Sequence, residues 1–333
     1  VIIITTKDSD TDSDKMTFHL DYTGYVGWKK LANKLENLDN RDFMLLQYEN
    51  SWLRAERLSD SGFPGYFIKD YTKNTDYDIA AMLDGANSLD RTDWLDRTFG
   101  RTGFTSNHSV SVSGGNKSAN FTLSYNRMDD KAIMEGSDYA RNNLSLKAKF
   151  KPFKDFTIGF TTRYTGTKVN GAGSNATKDK GTSSESRLRN AFAYTPIKLY
   201  NSNSEEASSD EEAFGNLYDP IKTIADNYKY KEDTKWNIQG YFQYKFLKHF
   251  IWRSEIGYES RDIETDRFYG KTTYFAREKV QPVGTTAGIV TSEKTSKFRQ
   301  ANTFTWDQTF NSAHNVGLVI GEEILMKIGR AHV

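Results

Sequence analysis

The chain has 333 residues and a nearly balanced charge, with 45 Lys and Arg against 44 Asp and Glu. This balance does not favour a nucleic-acid partner, and the absence of any run of about 18 apolar residues excludes a membrane-spanning helix. The chain contains no cysteine, which excludes disulfides, thiolate catalysis and cysteine-ligated metals, while an aromatic content of 14% argues against disorder.

The first fourteen residues combine a strand-like start with an acidic segment. VIIITTK (1–7) is typical of a β-strand, and DSDTDSD (8–14) spaces four aspartates as a calcium loop does. An EF-hand loop needs Gly at its sixth position and Glu at its twelfth, where this chain has Ser13 and His19. We therefore predict a solvated turn here and no metal site.

The next hundred residues contain two stretches with helical spacing. NRDFMLLQYENSWLRAERL (40–58) places apolar residues about 3.6 positions apart, and SLDRTDWLDRTF (88–99) predicts a helix capped by Ser88. Residues 166–235 are instead rich in Ser, Asn, Gly and charge, and they predict a mostly irregular surface loop.

Alternation of apolar and polar residues predicts nine strands after the opening segment. The hairpin HSVSVSGGNKSANFTLSYN (108–126) is the clearest case, because Val110 and Val112 precede its turn and Phe121 and Leu123 follow it. The GGNKS turn (114–118) lacks the spacing of a phosphate-binding loop, and we expect its glycines to supply positive φ. Several strands reach roughly the 9–11 residues that a membrane-spanning strand needs.

The connections alternate between short and long. Tight turns at 114–118, 152–155, 247–249 and 311–314 alternate with long segments at about 27–104, 128–139, 168–233 and 264–295. Outer-membrane barrels sort their connections in this way, with the apolar side of each strand towards lipid. We therefore predict an all-β fold: a partial antiparallel transmembrane β-barrel with long extracellular loops, some of them helical. The residues assigned to lipid are Phe18, Leu20, Val110, Val112, Phe121, Leu123, Leu144, Leu146, Ile158, Phe160, Ile238, Phe242, Trp252, Ile256, Leu318 and Ile320.

Three stretches resemble the SusC/RagA-like family of TonB-dependent outer-membrane transporters. VIIITTK with KMTFHLDYTGYVGWKK (15–30) resembles the junction between plug and barrel. TDWLDRTFGRTGFTSNHSVSVSGGNKSANFTLSYN (92–126) resembles the family's Asp-Trp segment, TG step and strand ending in Ser-Gly-Gly. DKAIMEGSDYARNNLSLKAKF (130–150) continues the match, which covers residues 1–165 well, whereas the rest agrees only in the rhythm of strands and loops.

The resemblance implies a plugged barrel of about 22 strands, of which this chain would hold nine. Residues 1–14 would end the plug domain and 15–327 would belong to the barrel. IGRAHV (328–333) resembles translated sequencing adapter, and we expect it to be a non-native tail. The implied function is import of oligosaccharides or peptides across the outer membrane of a Gram-negative bacterium. A SusD-like surface lipoprotein and the TonB complex would be partners, and no cofactor is implied.

Aromatic residues in the long segments are candidates for contact with a sugar ring or a lipoprotein lid, although for any one of them the more common role is to hold the loops together. They are Tyr66, Phe67, Tyr71, Trp94, Tyr194, Tyr200 and Tyr218.

Other functional classes remain as alternatives. A siderophore or cobalamin receptor would share the barrel but lack the lid. A soluble β-rich surface protein that binds glycans would pack the apolar side of its strands against a second sheet. Its connections would not be sorted by length. A hydrolase would need a catalytic constellation, and no spacing of His, Ser or carboxylates predicts one, so we do not expect an enzyme.

Overall fold

The structure is a computed structural model that describes residues 14–46, 49, 83, 85–171, 186–197, 219–278, 280–282, 284–311 and 314–332. Its nine strands form one antiparallel sheet in chain order, which confirms the predicted number and arrangement. The strands are β1 Thr17–Lys29, β2 Gly103–Gly115, β3 Ala119–Lys131, β4 Asp138–Phe153, β5 Phe156–Asn170, β6 Asn227–Phe246, β7 Phe250–Tyr269, β8 Ala287–Phe310 and β9 His314–His332.

The helices are short and lie in the connections. They are α1 Trp94–Phe99, α2 Arg187–Ala193, α3 Pro220–Ala225 and α4 Tyr274–Glu278, with a helical stretch at 40–46 and a 3-10 turn at Ala86–Ser88. None of the helices in the described residues is long and apolar enough to cross a membrane. The helical prediction for 40–58 is confirmed over 40–46, and most of the remainder lies outside the described residues.

The connections are sorted by length between the two ends of the sheet. Residues 116–118, 154–155, 247–249 and 311–313 make the turns at one end, which we call the tight-turn end. The segments 30–102, 132–137, 171–226 and 270–286 make the connections at the opposite end, the long-connection end. The predicted sorting is confirmed, although the connection after β3 is only six residues long and therefore much shorter than predicted.

Strands extend further towards the long-connection end than the alternation predicts. β6 begins at Asn227, within a region predicted to be irregular, and that region also contains α2 and α3. The prediction of a mostly irregular 166–235 is therefore wrong for these residues. Between Tyr230 and Trp236, both faces of β6 carry polar or charged side chains, such as Glu232 and Asp233, so the alternation is interrupted although the backbone ladder continues.

The turn between β2 and β3 is made by a side chain and not by glycine. Gly114 and Gly115 belong to β2 and neither has a positive φ, so that expectation is wrong. The Oδ1 atom of Asn116 accepts hydrogen bonds from the N–H groups of Ser118 and Ala119, each at 2.9 Å, which closes the turn. Glycine is required at position 115 for space, because a Cβ there would overlap Asn120.

The cap of α1 also differs from the prediction. The helix begins at Trp94, and the carboxylate of Asp93 accepts a hydrogen bond from the N–H of Asp96 at 2.9 Å. Ser88 instead closes the preceding 3-10 turn, where its hydroxyl donates to the carbonyl of Gly85 at 2.6 Å. Asp is as good a cap as Ser, and only the tertiary path of the chain decides which of the two is used.

The sheet does not close on itself. β1 and β9 lie at its two edges and pair only with β2 and β8, so the described strands form a partial barrel. A small apolar core lies at the long-connection end, where Leu95 and Phe99 of α1 meet Ala191 of α2 and Met134 between β3 and β4. β9 includes residues 328–332, which we expect to be a non-native tail. Their backbone pairs with β8, and this pairing does not test whether the residues are native.

Replacement of Gly171 by Ala should destabilise the long-connection end. Gly171 has a φ of +83°, and a Cβ there would overlap the carbonyl oxygen of Gly136. We expect Gly171→Ala to lower the free energy of unfolding by about 1–3 kcal/mol, the usual cost of a non-glycine residue in this region of backbone conformation. Gly288→Ala is the matched control, because nothing lies within 4 Å of its Cβ position. Urea unfolding of the folded barrel, followed by tryptophan fluorescence, measures both, and equal stability of the two variants would contradict this account.

Candidate functional site

The register of the nine strands places all sixteen residues predicted to contact lipid on one face of the sheet, which we call the apolar face. Directly opposite residues of neighbouring strands point to the same side. Leu20 lies opposite Val112, Val112 opposite Leu123, and Leu123 opposite Leu146. The same parity holds across the remaining strands to Ile320 on β9.

Large side chains of the apolar face are exposed in the described structure. Leu20 is 72% exposed, Ile256 is 52% exposed and Ile320 is 64% exposed. The described strands form a single sheet, so no second described sheet covers this face, as a β-sandwich would require. The buried apolar side chains belong mostly to the connections and helices.

Aromatic residues form two bands across the apolar face. Near the tight-turn end, Phe246 stacks on Phe250 at 5.5 Å between ring centroids. Further along the strands, the ring of Tyr164 lies 4.7 Å from the ring of Trp236. Tyr258 belongs to the same band, because it lies as many residues after the start of β7 as Tyr164 lies after the start of β5. Such bands are typical of the two interfaces that flank the hydrocarbon layer in outer-membrane barrels.

One polar row interrupts the apolar face. Ser254, Asn302 and Glu322 lie opposite one another on β7, β8 and β9. The Nδ2 atom of Asn302 donates a hydrogen bond to the carboxylate of Glu322 at 2.9 Å. Alternation alone does not predict this row, because a period of two places Glu322 on the apolar side but says nothing of the amide group that donates to it.

The opposite side, which we call the polar face, carries a network of ion pairs across β6 to β9. The carboxylate of Glu259 accepts from Lys235 at 2.9 Å and from Lys297 at 2.8 Å. On the adjoining row, Arg299 donates to Glu255 at 3.3 Å and to Glu323 at 2.7 Å.

The network borders a shallow pocket of about 310 Å³ on the polar face. Arg253 lies 3.8 Å above the ring of Tyr241, and both residues line the pocket with Glu255 and Lys297. Each exposed ion pair contributes only about 0–1 kcal/mol, so these groups provide a wettable surface and do not drive folding. The sequence signal for this surface is the charge at alternate positions of β6 and β7.

Two of the seven candidate contact aromatics come together at the long-connection end. The rings of Trp94 and Tyr194 meet edge to face at 5.3 Å, and the Nε1 of Trp94 donates to the carbonyl of Thr195 at 2.7 Å. These contacts link α1 to the segment after α2. Tyr66, Phe67, Tyr71, Tyr200 and Tyr218 lie outside the described residues.

An ion pair anchors the start of α1 to the chain that follows β1. Lys34 donates to the carboxylate of Asp93, which also caps the helix. Burial on its own would raise the pKa of Asp93, but the hydrogen bonds from Lys34 and from the N–H of Asp96 outweigh it and hold that pKa below its usual value. Asp93 is therefore a charged cap at neutral pH.

The described residues show no candidate for metal chemistry, since no three of their His, Asp and Glu side chains come close enough to hold an ion. His249 and His314 lie exposed at the tight-turn end. Of the acidic segment 8–14, only Asp14 is among the described residues, and its side chain pairs with Lys117 at 3.2 Å.

An open antiparallel sheet with one apolar face, one polar face and connections sorted by length has the architecture of a partial β-barrel of the outer-membrane type. Solved structures share this fold. A chain of the RagAB peptide transporter superposes with a TM-score of 0.64 at 14% sequence identity, covering 96% of this chain and 36% of that chain. The RagAB peptide importer in its "closed-closed" state gives the same values. In its "open-open" state it gives a TM-score of 0.63 at 12% identity, with the same coverage.

The likeness to RagAB confirms the predicted fold resemblance. This chain spans 36% of the length of the RagAB chains that it matches. No family model and no curated protein matches the chain. These three solved structures are described as a peptide transporter and a peptide importer.

Substitution of a central residue of the apolar face tests which side meets lipid. Leu146 lies between Leu123 and Thr162 on this face. We expect Leu146→Arg in the complete protein to cost about 2–4 kcal/mol in folding into bilayers, because the guanidinium must enter hydrocarbon. Ser124→Arg is the control, since Ser124 lies between Ser111 and Ser145 on the polar face. Heat-modifiable migration on gels reports the folded fraction, and an unaffected Leu146→Arg barrel would overturn the assignment.

Removal of the cap at Asp93 should loosen α1. Asp93→Ala loses the bond to the N–H of Asp96 and should cost about 1 kcal/mol locally, whereas Asp93→Asn keeps a capping oxygen and should cost less. Because folding lowers the pKa of Asp93, its stabilising contribution is present above the ordinary value of 3.8 and is lost as the pH falls through the lower folded-state pKa. Hydrogen exchange at the Asp96 amide measures both effects. Equal protection in the Ala and Asn variants would show that the cap has no role.

Proposed function

We propose that this chain is part of a TonB-dependent outer-membrane importer that takes up oligosaccharides or peptides together with a SusD-like surface lipoprotein. The observation that carries the proposal is the two-faced sheet with its connections sorted between its ends. This arrangement suits a wall between lipid and an aqueous or plugged interior.

The faces support this setting physically. Side chains such as Leu20 and Ile320 are exposed on the apolar face, where acyl chains would remove them from water. The ion pairs of the polar face, such as Lys235 with Glu259, suit a wet lumen but would be costly in a dry core. Every strand has at least 13 residues, which exceeds the roughly 9–11 that a spanning strand needs.

The likeness to RagAB supports the transport class. Those structures are described as a peptide transporter and a peptide importer. At 14% identity, the likeness supports a shared fold. We propose four further properties for this chain: a function in import, a cargo of peptides or oligosaccharides, a lipoprotein partner and a location in the outer membrane. The assignment of residues 1–14 to the plug and of 15–327 to the barrel belongs to the same proposal. So does a role for the loop aromatics, including Trp94 and Tyr194, in contact with substrate or lid.

Uptake by cells that produce the complete gene product tests the proposal. The gene that contains this chain is expressed with its neighbouring lipoprotein gene in a host that lacks its own importers of this type. Fluorescent peptide and oligosaccharide mixtures are then supplied with and without a protonophore. We expect at least one mixture to accumulate, and we expect the protonophore or loss of TonB to abolish accumulation, because a plugged barrel needs energy from the inner membrane to open.

The matched control is a strain that carries the gene with Leu146→Arg, which should fail to insert and should therefore import neither mixture. Accumulation that persists after deletion of the gene would contradict the proposal. Co-purification of the lipoprotein with the complete barrel in detergent tests the partnership independently of cargo, and its absence would instead favour a receptor without a lid.

A further inference from the structure

The pocket of about 310 Å³ on the polar face has a glycine at its floor. Gly257 of β7 lies directly opposite Gln239 of β6 and Arg299 of β8. Its φ is not positive, and outside its chain neighbours the nearest atom to an added Cβ would be the Cγ of Gln239, at 3.6 Å. Neither the backbone conformation nor close packing therefore requires glycine here, and the missing side chain leaves a hollow between longer ones. We call this hollow the Gly257 pocket.

The charged side chains that line the Gly257 pocket are paired with one another. Glu259 accepts a hydrogen bond from Lys297 at 2.8 Å. Glu255 accepts from Arg253 at 2.6 Å and from Arg299 at 3.3 Å. A charged ligand would have to displace one of these partners, whereas a neutral ligand leaves every pair intact.

Neutral polar side chains line the same pocket, and they have no hydrogen-bond partner within the part of the chain that the structure describes. They are Thr161, Asn237, Gln239 and Tyr241. The Oδ1 of Asn237 is buried without a partner, so a turn of this amide towards a ligand would break no bond. Arg253 lies 3.8 Å above the ring of Tyr241, which leaves the hydroxyl of that residue as its group for binding. A molecule that enters the pocket can therefore gain hydrogen bonds without breaking existing ones.

These two sets of side chains favour a neutral ligand that is rich in hydroxyl groups. Amide and hydroxyl side chains can both donate and accept hydrogen bonds, as can the hydroxyl groups of a sugar. A sugar unit carries a hydroxyl on most of its carbon atoms, so it offers more such groups in a given volume than a peptide segment does. The volume of the pocket lies at the lower end of the roughly 300–1,000 Å³ that is usual for small-molecule sites.

The Gly257 pocket lies at the level of the hydrocarbon layer but on the other side of the sheet. Asn237, Gln239 and Tyr241 lie on β6 between Trp236 of one aromatic band and Phe246 of the other. Because side chains alternate along a strand, these three point away from the apolar face. In a barrel that imports cargo, the pocket would lie on the wall of the interior.

We propose that the Gly257 pocket binds a neutral sugar unit of an imported oligosaccharide on the inner wall of the barrel. This inference rests on the proposed function and adds to it a site within the barrel and a preference for uncharged sugars. The sugar would bond to the unpaired amides and hydroxyls, while the ion pairs around them hold the walls of the pocket in place.

Binding to the purified complete importer tests the inference. The labelled probes are a mixture of neutral hexasaccharides of glucose, galactose, mannose and xylose, a galacturonate hexasaccharide, and a neutral decapeptide of Asn, Gln, Ser and Gly. The double variant Asn237→Ala with Gln239→Ala removes two unpaired amides, whereas Gly257→Val fills the floor of the pocket and keeps both. We expect each variant to bind the neutral hexasaccharides at least about tenfold more weakly, because hydrogen bonds or the space for the sugar are lost.

Two matched controls remove an amide or fill a glycine elsewhere. Asn143→Ala removes an amide from the polar face of β4, outside the pocket. Gly288→Val adds the same side chain at a glycine that does not line the pocket and has nothing within 4 Å of its Cβ position. Both should bind the neutral hexasaccharides within about twofold of the unchanged protein. Heat-modifiable migration checks folding, and if the double variant fails to fold, Gly257→Val and the single variant Gln239→Ala carry the test.

The outcomes separate the inference from the proposed function. Losses confined to the neutral hexasaccharides support a sugar site in the pocket. A loss for the decapeptide alone, equal losses for all probes, or unchanged binding of the neutral hexasaccharides by the folded variants would overturn it. An importer that binds no neutral hexasaccharide would also overturn the sugar site, while energised uptake of peptides would leave the proposed function standing. Absence of energised uptake of both peptides and oligosaccharides would instead overturn the proposed function.

Discussion

The structure depends on the unbroken parity of its antiparallel ladder. Side chains alternate sides along each strand, so a slip by one residue would exchange the two faces completely. Across the eight strand pairings, Leu20, Leu146 and Ile320 remain on one side. The register shift between β4 and β5 falls at Phe150–Phe153, beside a tight turn, where it disturbs few side chains. In the four strand pairs that are joined by tight turns, the turn fixes the register.

The two ends of the sheet are stabilised by different interactions. Between the aromatic bands, the backbone groups of β2 to β8 bond within the sheet, as a membrane setting requires, whereas the outer edges of β1 and β9 have no described partner strand. At the long-connection end, a small core around Leu95, Phe99 and Met134 packs as in a water-soluble domain. The ion pair between Lys34 and Asp93 joins this core to the chain after β1.

Sequence patterns predicted the features that arise from neighbours along the chain, but not those that arise from distant residues. Leu144, Ser145 and Leu146 report their faces by alternation alone, and all nine strands were predicted in this way. The start of β6 at Asn227 was missed because residues 231–235, which are polar on both faces, separate it from the apolar segment that begins at Trp236. The contact of Trp94 with Tyr194 joins residues that are far apart in sequence, and nothing in their local sequence predicts it.

The longest strands, β6 to β8, are much longer than the layer that they would cross. β8 has 24 residues, which corresponds to about 80 Å along its axis and roughly 55 Å of height at a tilt near 45°. A hydrocarbon band of about 25 Å accounts for less than half of this height. The remainder would form a stiff collar above the bilayer, bearing its helices at the rim. Such a collar would hold the long connections well clear of the lipid headgroups.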